Sequence, residues 1–105
     1  MGEIVRWDSP VFTEAVLVWT GWGQHMMPRR DDAFVVSRFG AESAAQLLPA
    51  IRSLTEAFYA SDAKYTAPSL AEMGAMTAEE FKKKHPEVAD EVVKALAWCY
   101  TFDFR

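Results

Sequence analysis

The spacing of apolar residues predicts a helix near the C-terminal end of the sequence. Within residues 87–100 (EVADEVVKALAWCY), large apolar side chains recur every three or four positions, at Val88, Val92, Leu96, Cys99 and Tyr100. This is the period of an α-helix that buries one face. Pro86 fits its first turn, where a missing N–H costs no intrahelical hydrogen bond. We therefore expect a largely buried helix over 87–100, followed by an extended tail over 101–105.

A second helical period covers residues 41–60, where the apolar face comprises Ala44, Leu47, Leu48, Ile51, Leu54, Thr55 and Phe58. Gly40 is a break before this segment, and Ser61-Asp62 provides an exit after it. Pro49 lies in the interior, where it removes the hydrogen bond to the carbonyl of Ala45. Because the apolar period continues through Pro49, a kink is favoured over two separate helices.

A shorter helix is expected between these two. In residues 77–85 (TAEEFKKKH), Thr77 is followed three positions later by Glu80. This spacing is typical of a capping box at a helix N-terminus. Pro86 ends the helix because the residue before a proline avoids the α-helical region. Residues 62–76 are then expected to form a loop, with one helical turn at most after Pro68-Ser69.

Two N-terminal segments fit both helix and strand. Residues 9–20 begin with Ser9-Pro10, a good helix start, and residues 31–39 begin with Asp31 and are followed by Gly40. Their apolar runs, AVLVW and AFVV, would also suit buried strands. The end signals favour helices. The sequence thus predicts a mainly α fold, a single domain of about five helices over 1–105, with a small two-stranded element in residues 15–39 as the α+β alternative.

Charge and cysteine content exclude several classes of partner and site. The net charge is −4, and the one basic run, Lys82-Lys83-Lys84, follows two glutamates, so a nucleic-acid partner is disfavoured. Such a partner would need Arg29, Arg30 and these lysines on one face. Cys99 is the single cysteine, which excludes an intramolecular disulfide and a multi-cysteine zinc site. The two histidines, His25 and His85, lack the spacing of a metal-binding pair. We expect no metal, no cofactor and no catalytic residues.

The N-terminal residues 1–6 (MGEIVR) show no signal peptide, and the longest apolar run, Ala15 to Trp19, is far shorter than the ~20 residues of a membrane span. We therefore expect a cytoplasmic protein without a membrane partner.

Residues 19–30 (WTGWGQHMMPRR) are rich in the residue types found at the centres of protein interfaces, namely Trp, Met and Arg. We therefore hypothesise a non-catalytic protein–protein interaction module, of an accessory, inhibitor or immunity type, that binds another protein or itself. Its apolar anchors would be Trp22, Met26 and Met27. The surrounding contact residues would be His25, Arg29, Arg30, Asp31 and Asp32.

Two alternatives stay open. Trp19 and Trp22, three positions apart, could lie on one helical face and pack inward. The protein could also be a small-molecule-binding protein or a minor enzyme. Its pocket would have His25 as the polar group and an aromatic lining of Trp19, Trp22, Tyr59, Tyr65 and Trp98. A dinucleotide site is unsupported because Gly21 and Gly23 lack the third glycine of that motif.

Overall fold

The computed structural model describes residues 5–105, which form six helices. They are α1 (Pro10–Thr20), α2 (Asp32–Phe39), α3 (Ala41–Tyr59), α4 (Ala63–Thr66), α5 (Leu70–Lys84) and α6 (Asp90–Asp103). Within the described range there is no strand. The prediction of a mainly α fold with about five helices is confirmed, since α4 is a single turn. The α+β alternative is wrong. The signal-peptide prediction rests on residues 1–6, of which 1–4 lie outside the described residues.

Helices α1 and α2 are fixed by their end residues. The Ser9 hydroxyl accepts a 3.0 Å hydrogen bond from the amide of Phe12, and the Asp31 carboxylate accepts one of 2.9 Å from the amide of Ala33. Both bonds satisfy N–H groups that no intrahelical carbonyl can reach. Gly21 ends α1 with a φ of 79°, a conformation that glycine adopts without steric cost. The capping side chains of Ser9 and Asp31 therefore favour helices over strands in residues 9–20 and 31–39.

Helix α3 passes through Pro49 without interruption. The proline side chain is exposed, so its ring lies on the solvent side of the helix. The opposite face is buried through Ala44, Leu47, Ile51, Leu54 and Phe58. The predicted helix over 41–60 is confirmed to within one residue at its end.

Helix α5 is longer than predicted, and most of the expected loop over 62–76 is helical. The helix begins after Ser69, whose hydroxyl accepts a 3.2 Å hydrogen bond from the amide of Glu72. Thr77 lies inside the helix and donates to the carbonyl of Gly74 at 3.1 Å, so it is not a cap. The buried stripe of α5 is Met73, Thr77 and Phe81. Because one of these is polar, the apolar period was too weak to reveal the first two turns.

Helix α6 begins three residues later than predicted and continues to Asp103. The expected extended tail is therefore wrong for residues 101–103. The continued helix allows Phe104 to pack against Tyr59 and Tyr100, with ring centroids 5.9 and 4.8 Å apart. These aromatic contacts stabilise the last turn beyond what the local sequence indicates.

The helices share one hydrophobic core, and α6 contributes to its centre. Tyr100 is fully buried, and its hydroxyl donates to the carbonyl of Ser61 at 2.9 Å while accepting from the amide of Lys64 at 3.0 Å. Other fully buried side chains are Phe12, Val16, Ile51, Leu54, Val92 and Leu96. Helix α6 packs against both α5 and α1. No helix in residues 5–105 has both the length and the apolar character needed to cross a membrane.

Candidate interaction surface

The segment between α1 and α2, residues 21–31, forms a loop whose two ends meet; we call it the methionine loop. The amide of Arg29 donates to the carbonyl of Thr20 at 2.9 Å, and the amide of Asp31 donates to that of Trp19 at 3.1 Å. At the other end, a β-carbon on Gly21 would lie 2.5 Å from Cδ2 of His25. This close contact and the positive φ of Gly21 favour a glycine at this position.

Met26 and Met27 lie in the middle of this loop and are strongly exposed, to 96% and 57% of their surface. They border an open groove of about 380 Å³ between the loop, the start of α5 and the end of α6. We call it the methionine groove. Its lining residues are Met26, Met27, Leu70, Ala71, Trp98, Thr101, Phe102 and Arg105. Exposed apolar side chains that adjoin one another in this way are typical of a binding surface.

The groove is lined mainly by apolar side chains, together with Thr101 and one cation. Arg105 is the charged residue in the lining, and its guanidinium lies 4.3 Å from the ring centroid of Phe102. No carboxylate is among the lining residues of the described chain. The groove therefore differs in charge from the protein as a whole, whose net charge is −4.

Trp22 is half-buried and packs edge to face against Trp98, with ring centroids 5.3 Å apart. Trp98 belongs to the floor of the methionine groove. Trp19, in contrast, is buried in the core. Trp19 therefore packs into the core, whereas Trp22 attaches the methionine loop to α6.

Arg30 is directed into the molecule. Its guanidinium makes two hydrogen bonds to the carboxylate of Asp103, one of them 2.8 Å long, and a third of 3.3 Å to the hydroxyl of Tyr59. The Tyr59 hydroxyl in turn donates to Asp103 at 2.6 Å. The backbone of Arg30 has a φ of 49°, which is uncommon for a residue with a side chain. Arg30 thus joins the loop to the ends of α3 and α6.

This cluster changes the pKa of its members. Burial tends to raise the pKa of the Asp103 carboxyl, but the hydrogen bonds from Arg30 and Tyr59 outweigh it and the pKa is lowered. Burial, together with the hydrogen bond to Asp103, raises the pKa of the Tyr59 hydroxyl. The hydrogen bond to Asp103 raises the pKa of Arg30. Asp103 and Arg30 are therefore charged, and Tyr59 neutral, throughout the physiological range.

Asp31 and Asp32 also make contacts within the chain. Asp31 caps α2, while Asp32 accepts hydrogen bonds from the indole of Trp19 at 2.9 Å and from Arg52 at 2.8 Å. Both carboxylates therefore have structural partners, although Asp32 remains exposed. Their proposed role at a partner interface stays a prediction.

His25 and Arg29 lie against Phe34, on α2. The His25 ring stacks on Phe34 with centroids 5.8 Å apart, and Arg29 lies 6.0 Å from the same ring. His25 lines a separate open groove of about 400 Å³, together with Leu17, Val18, Gly21, Gln24, Phe34, Ser37 and Arg38. The structure therefore places His25 in a different groove from Met26 and Met27.

The six residues of the alternative aromatic pocket do not share one cavity. Trp19 is buried, Trp22 contacts Trp98, and Tyr59 belongs to the Asp103 cluster. Tyr65 is 79% exposed, and none of the tyrosines lines the groove that holds His25. Within residues 5–105, no three His, Cys, Asp or Glu side chains gather as a metal site would require.

Sequence reasoning missed several residues of this surface. Leu70 and Ala71 were assigned to a loop, and Phe102 and Arg105 to an extended tail. Tyr59 and Asp103 are 29 and 73 positions away from Arg30, so no local pattern joins them. The helical period that continues from Trp98 to Thr101 and Phe102 was the available signal for this end of the groove.

A comparison with known protein families, curated proteins and solved structures found no match to this chain.

Proposed function

We propose that this protein is a non-catalytic interaction module that binds an apolar segment of another protein in the methionine groove. The observation that carries the proposal is the 96% exposure of Met26 at the edge of a groove lined mainly by apolar side chains. Fully burying a methionine side chain stabilises a complex by about 1.5–3 kcal/mol, so leaving two of them in water is unfavourable without a partner.

The groove fits an amphipathic helix with acidic residues beside its apolar anchors. Methionine side chains are flexible and polarisable, and they adapt to the shape of an inserted helix. Arg105 is the charged residue of the lining and would pair with a carboxylate. No carboxylate is among the groove's lining residues in the described chain, which favours an acidic segment over a basic one there.

Such a module acts by occupying a surface of its partner, as an inhibitor, immunity-type or accessory protein does. The proposal needs no catalytic group.

We also propose a cytoplasmic location, which is supported by the single cysteine, since this residue is buried and free. Cell fractionation followed by detection of the protein checks this location.

The test replaces the exposed methionines by serine. Partners are captured on immobilised wild-type protein, and each is then purified and its dissociation constant measured. Met26→Ser/Met27→Ser is expected to weaken binding at least about tenfold, because central apolar anchors dominate interface energies. The matched control is Val11→Ser/Val36→Ser. It changes two side chains that are 53% and 42% exposed and lie outside the groove.

The control variant is expected to bind within about twofold of wild type, since neither side chain lines the methionine groove. Circular dichroism establishes that both variants stay folded. Equal affinity of wild type and Met26→Ser/Met27→Ser for every purified partner would contradict the proposal. A concentration-dependent dimer that this variant abolishes would contradict it as well, because the occupant would then be a second copy of the chain.

A further inference from the structure

The methionine loop is fastened to α6 at two points. Trp22, four residues before Met26, packs on Trp98, and Arg30, three residues after Met27, binds Asp103. Trp98 and Asp103 are five residues apart on α6, a rise of about 7.5 Å at 1.5 Å per residue. The two methionines therefore lie between two attachments to the same helix.

The second attachment is polar and lies beside the groove. Asp103 directly follows Phe102, which lines the groove, and its carboxylate side chain is 24% exposed. Arg30 reaches it from the loop with a side chain that is 28% exposed. Neither residue belongs to the hydrophobic core. Their contact joins the loop that carries Met26 to the helix that forms the floor.

From this geometry we infer that Asp103 is a positioning residue: through Arg30 it holds the methionine loop so that Met26 and Met27 form a fixed wall of the groove. Tyr59 supports it by donating to Asp103 at 2.6 Å. The inference rests on the proposed function only in that the wall is taken to contact a partner. A preformed wall binds its partner more tightly, because less conformational freedom is lost on association.

The test compares wild type with Asp103→Asn, which keeps the shape of the side chain and removes its charge. Methyl NMR of methionine reports on Met26 and Met27, and Met73 and Met76 on α5 serve as internal references. Hydrogen exchange is followed at the amides of Arg29 and Asp31, which bond to the end of α1. Loop exchange is expected to accelerate about tenfold or more, since hydrogen bonds between charged groups are the stronger class.

In Asp103→Asn the methyl shift of Met27, which is 57% exposed, is expected to move towards that of a flexible chain, while those of Met73 and Met76 stay unchanged. Asp103→Glu restores a carboxylate and is expected to recover part of the protection. The matched control is Glu14→Gln, which removes the ion pair with Arg38 between α1 and α2. It is expected to leave the loop exchange and the four methyl signals unchanged.

Wild-type exchange and methyl shifts in Asp103→Asn would overturn the inference. An equal acceleration at core amides such as that of Leu96 would overturn it too, because Asp103 would then only stabilise the fold. If Asp103→Asn does not fold, Tyr59→Phe replaces it: the loss of one hydrogen bond to Asp103 is expected to give a smaller change, confined to the loop. No change in that variant counts against the inference.

These readouts need no partner, so they can fail or succeed independently of the proposed function. Once a partner is purified, Asp103→Asn is expected to weaken its binding about tenfold, as the binding-competent loop becomes a minor conformation. Unchanged affinity together with a mobile loop would refute the positioning role. A mobile loop with no partner that depends on Met26 and Met27 would instead refute the proposed function alone.

Discussion

The indole Nε1 of Trp19 donates a 2.9 Å hydrogen bond to the carboxylate of Asp32, and this bond joins the end of α1 to the start of α2. The second oxygen of Asp32 accepts from Arg52 on α3 at 2.8 Å. Asp32 therefore links three helices, although its side chain is half exposed. A residue expected at a partner interface has a structural role at the base of the methionine loop.

Asp32→Ala is expected to lower the free energy of unfolding by about 1–3 kcal/mol, because the indole N–H of a buried tryptophan loses its partner. The comparison is Arg52→Ala, which removes only the exposed ion pair and is expected to cost under about 1 kcal/mol. Urea unfolding of both variants measures the difference. Equal losses would show that the Trp19 hydrogen bond contributes nothing.

Lys64 gives a second prediction, because its ammonium lies among three aromatic rings. The nitrogen is 5.1, 5.8 and 4.8 Å from the ring centroids of Tyr65, Tyr100 and Phe104. Lys64→Met keeps the length of the side chain and removes the charge. We expect a loss of about 1–2 kcal/mol in the free energy of unfolding, the range for partly desolvated cation–π contacts.

The control for this prediction is Lys94→Met, an exposed lysine on α6. Its free energy of unfolding is expected to change by less than about 0.5 kcal/mol, as is usual for surface substitutions. A loss in Lys64→Met no larger than that in the control would contradict the cation–π contribution.

Alkaline pH provides a third prediction. Burial raises the pKa of the Cys99 thiol from 9.0 to about 12, and the pKa of Tyr59 is raised from its usual 10.0. Both groups ionise more readily in the unfolded chain. Their contribution to stability is therefore complete below pH 9 and is lost as the pH rises towards the folded-state values. For each group the folded-to-unfolded ratio falls by up to about tenfold per pH unit.

Urea unfolding between pH 7 and pH 11 measures this loss. Cys99→Ala is expected to remove the part that begins near pH 9, and Tyr59→Phe the part that begins near pH 10. The slopes against pH are compared, since each substitution also changes packing. A wild-type stability that stays constant across this range would contradict the burial of both groups.

Pro49 supplies a fourth prediction. It interrupts the hydrogen-bond ladder of a continuous helix while its ring lies on the exposed side. Pro49→Ala is expected to restore a bond to the carbonyl of Ala45 and to stabilise the protein by about 1–2 kcal/mol. A cost of about 3 kcal/mol for an interior proline is offset in part by the greater entropy of the unfolded alanine chain.

Thermal unfolding measures the gain, and Pro10→Ala is the matched control. Pro10 occupies the first position of α1, where no hydrogen bond is missing, so no stabilisation is expected there. A melting temperature for Pro49→Ala at or below that of wild type would contradict the prediction.

How correctly the sequence predicted each helix depended on the capping residues at its ends. Ser9, Asp31 and Gly40 act within three or four residues, and their effects were predicted correctly. The start of α5 was missed because Thr77 and Glu80 match a capping box by spacing alone, whereas Ser69 is the actual cap. A local motif cannot reveal that its threonine is buried against neighbouring helices.

The site was predicted only in part, for a related reason. The composition of residues 19–30 drew attention to Met26 and Met27, and the structure leaves both exposed beside a groove. The same composition grouped Trp22, Arg30 and Asp32 with them. Instead, Trp22 and Arg30 contact residues on α6, and Asp32 contacts Trp19 on α1 and Arg52 on α3.

The sequence by itself determined the helical class and the ends of α1, α2 and α3, because capping and apolar period act over a few residues. The tertiary structure decided the length of α5 and α6 and the direction of each side chain in the methionine loop. Packing of Phe104 on Tyr59 and the Arg30–Asp103 ion pair join distant segments. Such contacts form only when the chain has folded. They decide which loop residues are exposed at the groove, namely the two methionines, and which residues hold the loop in place.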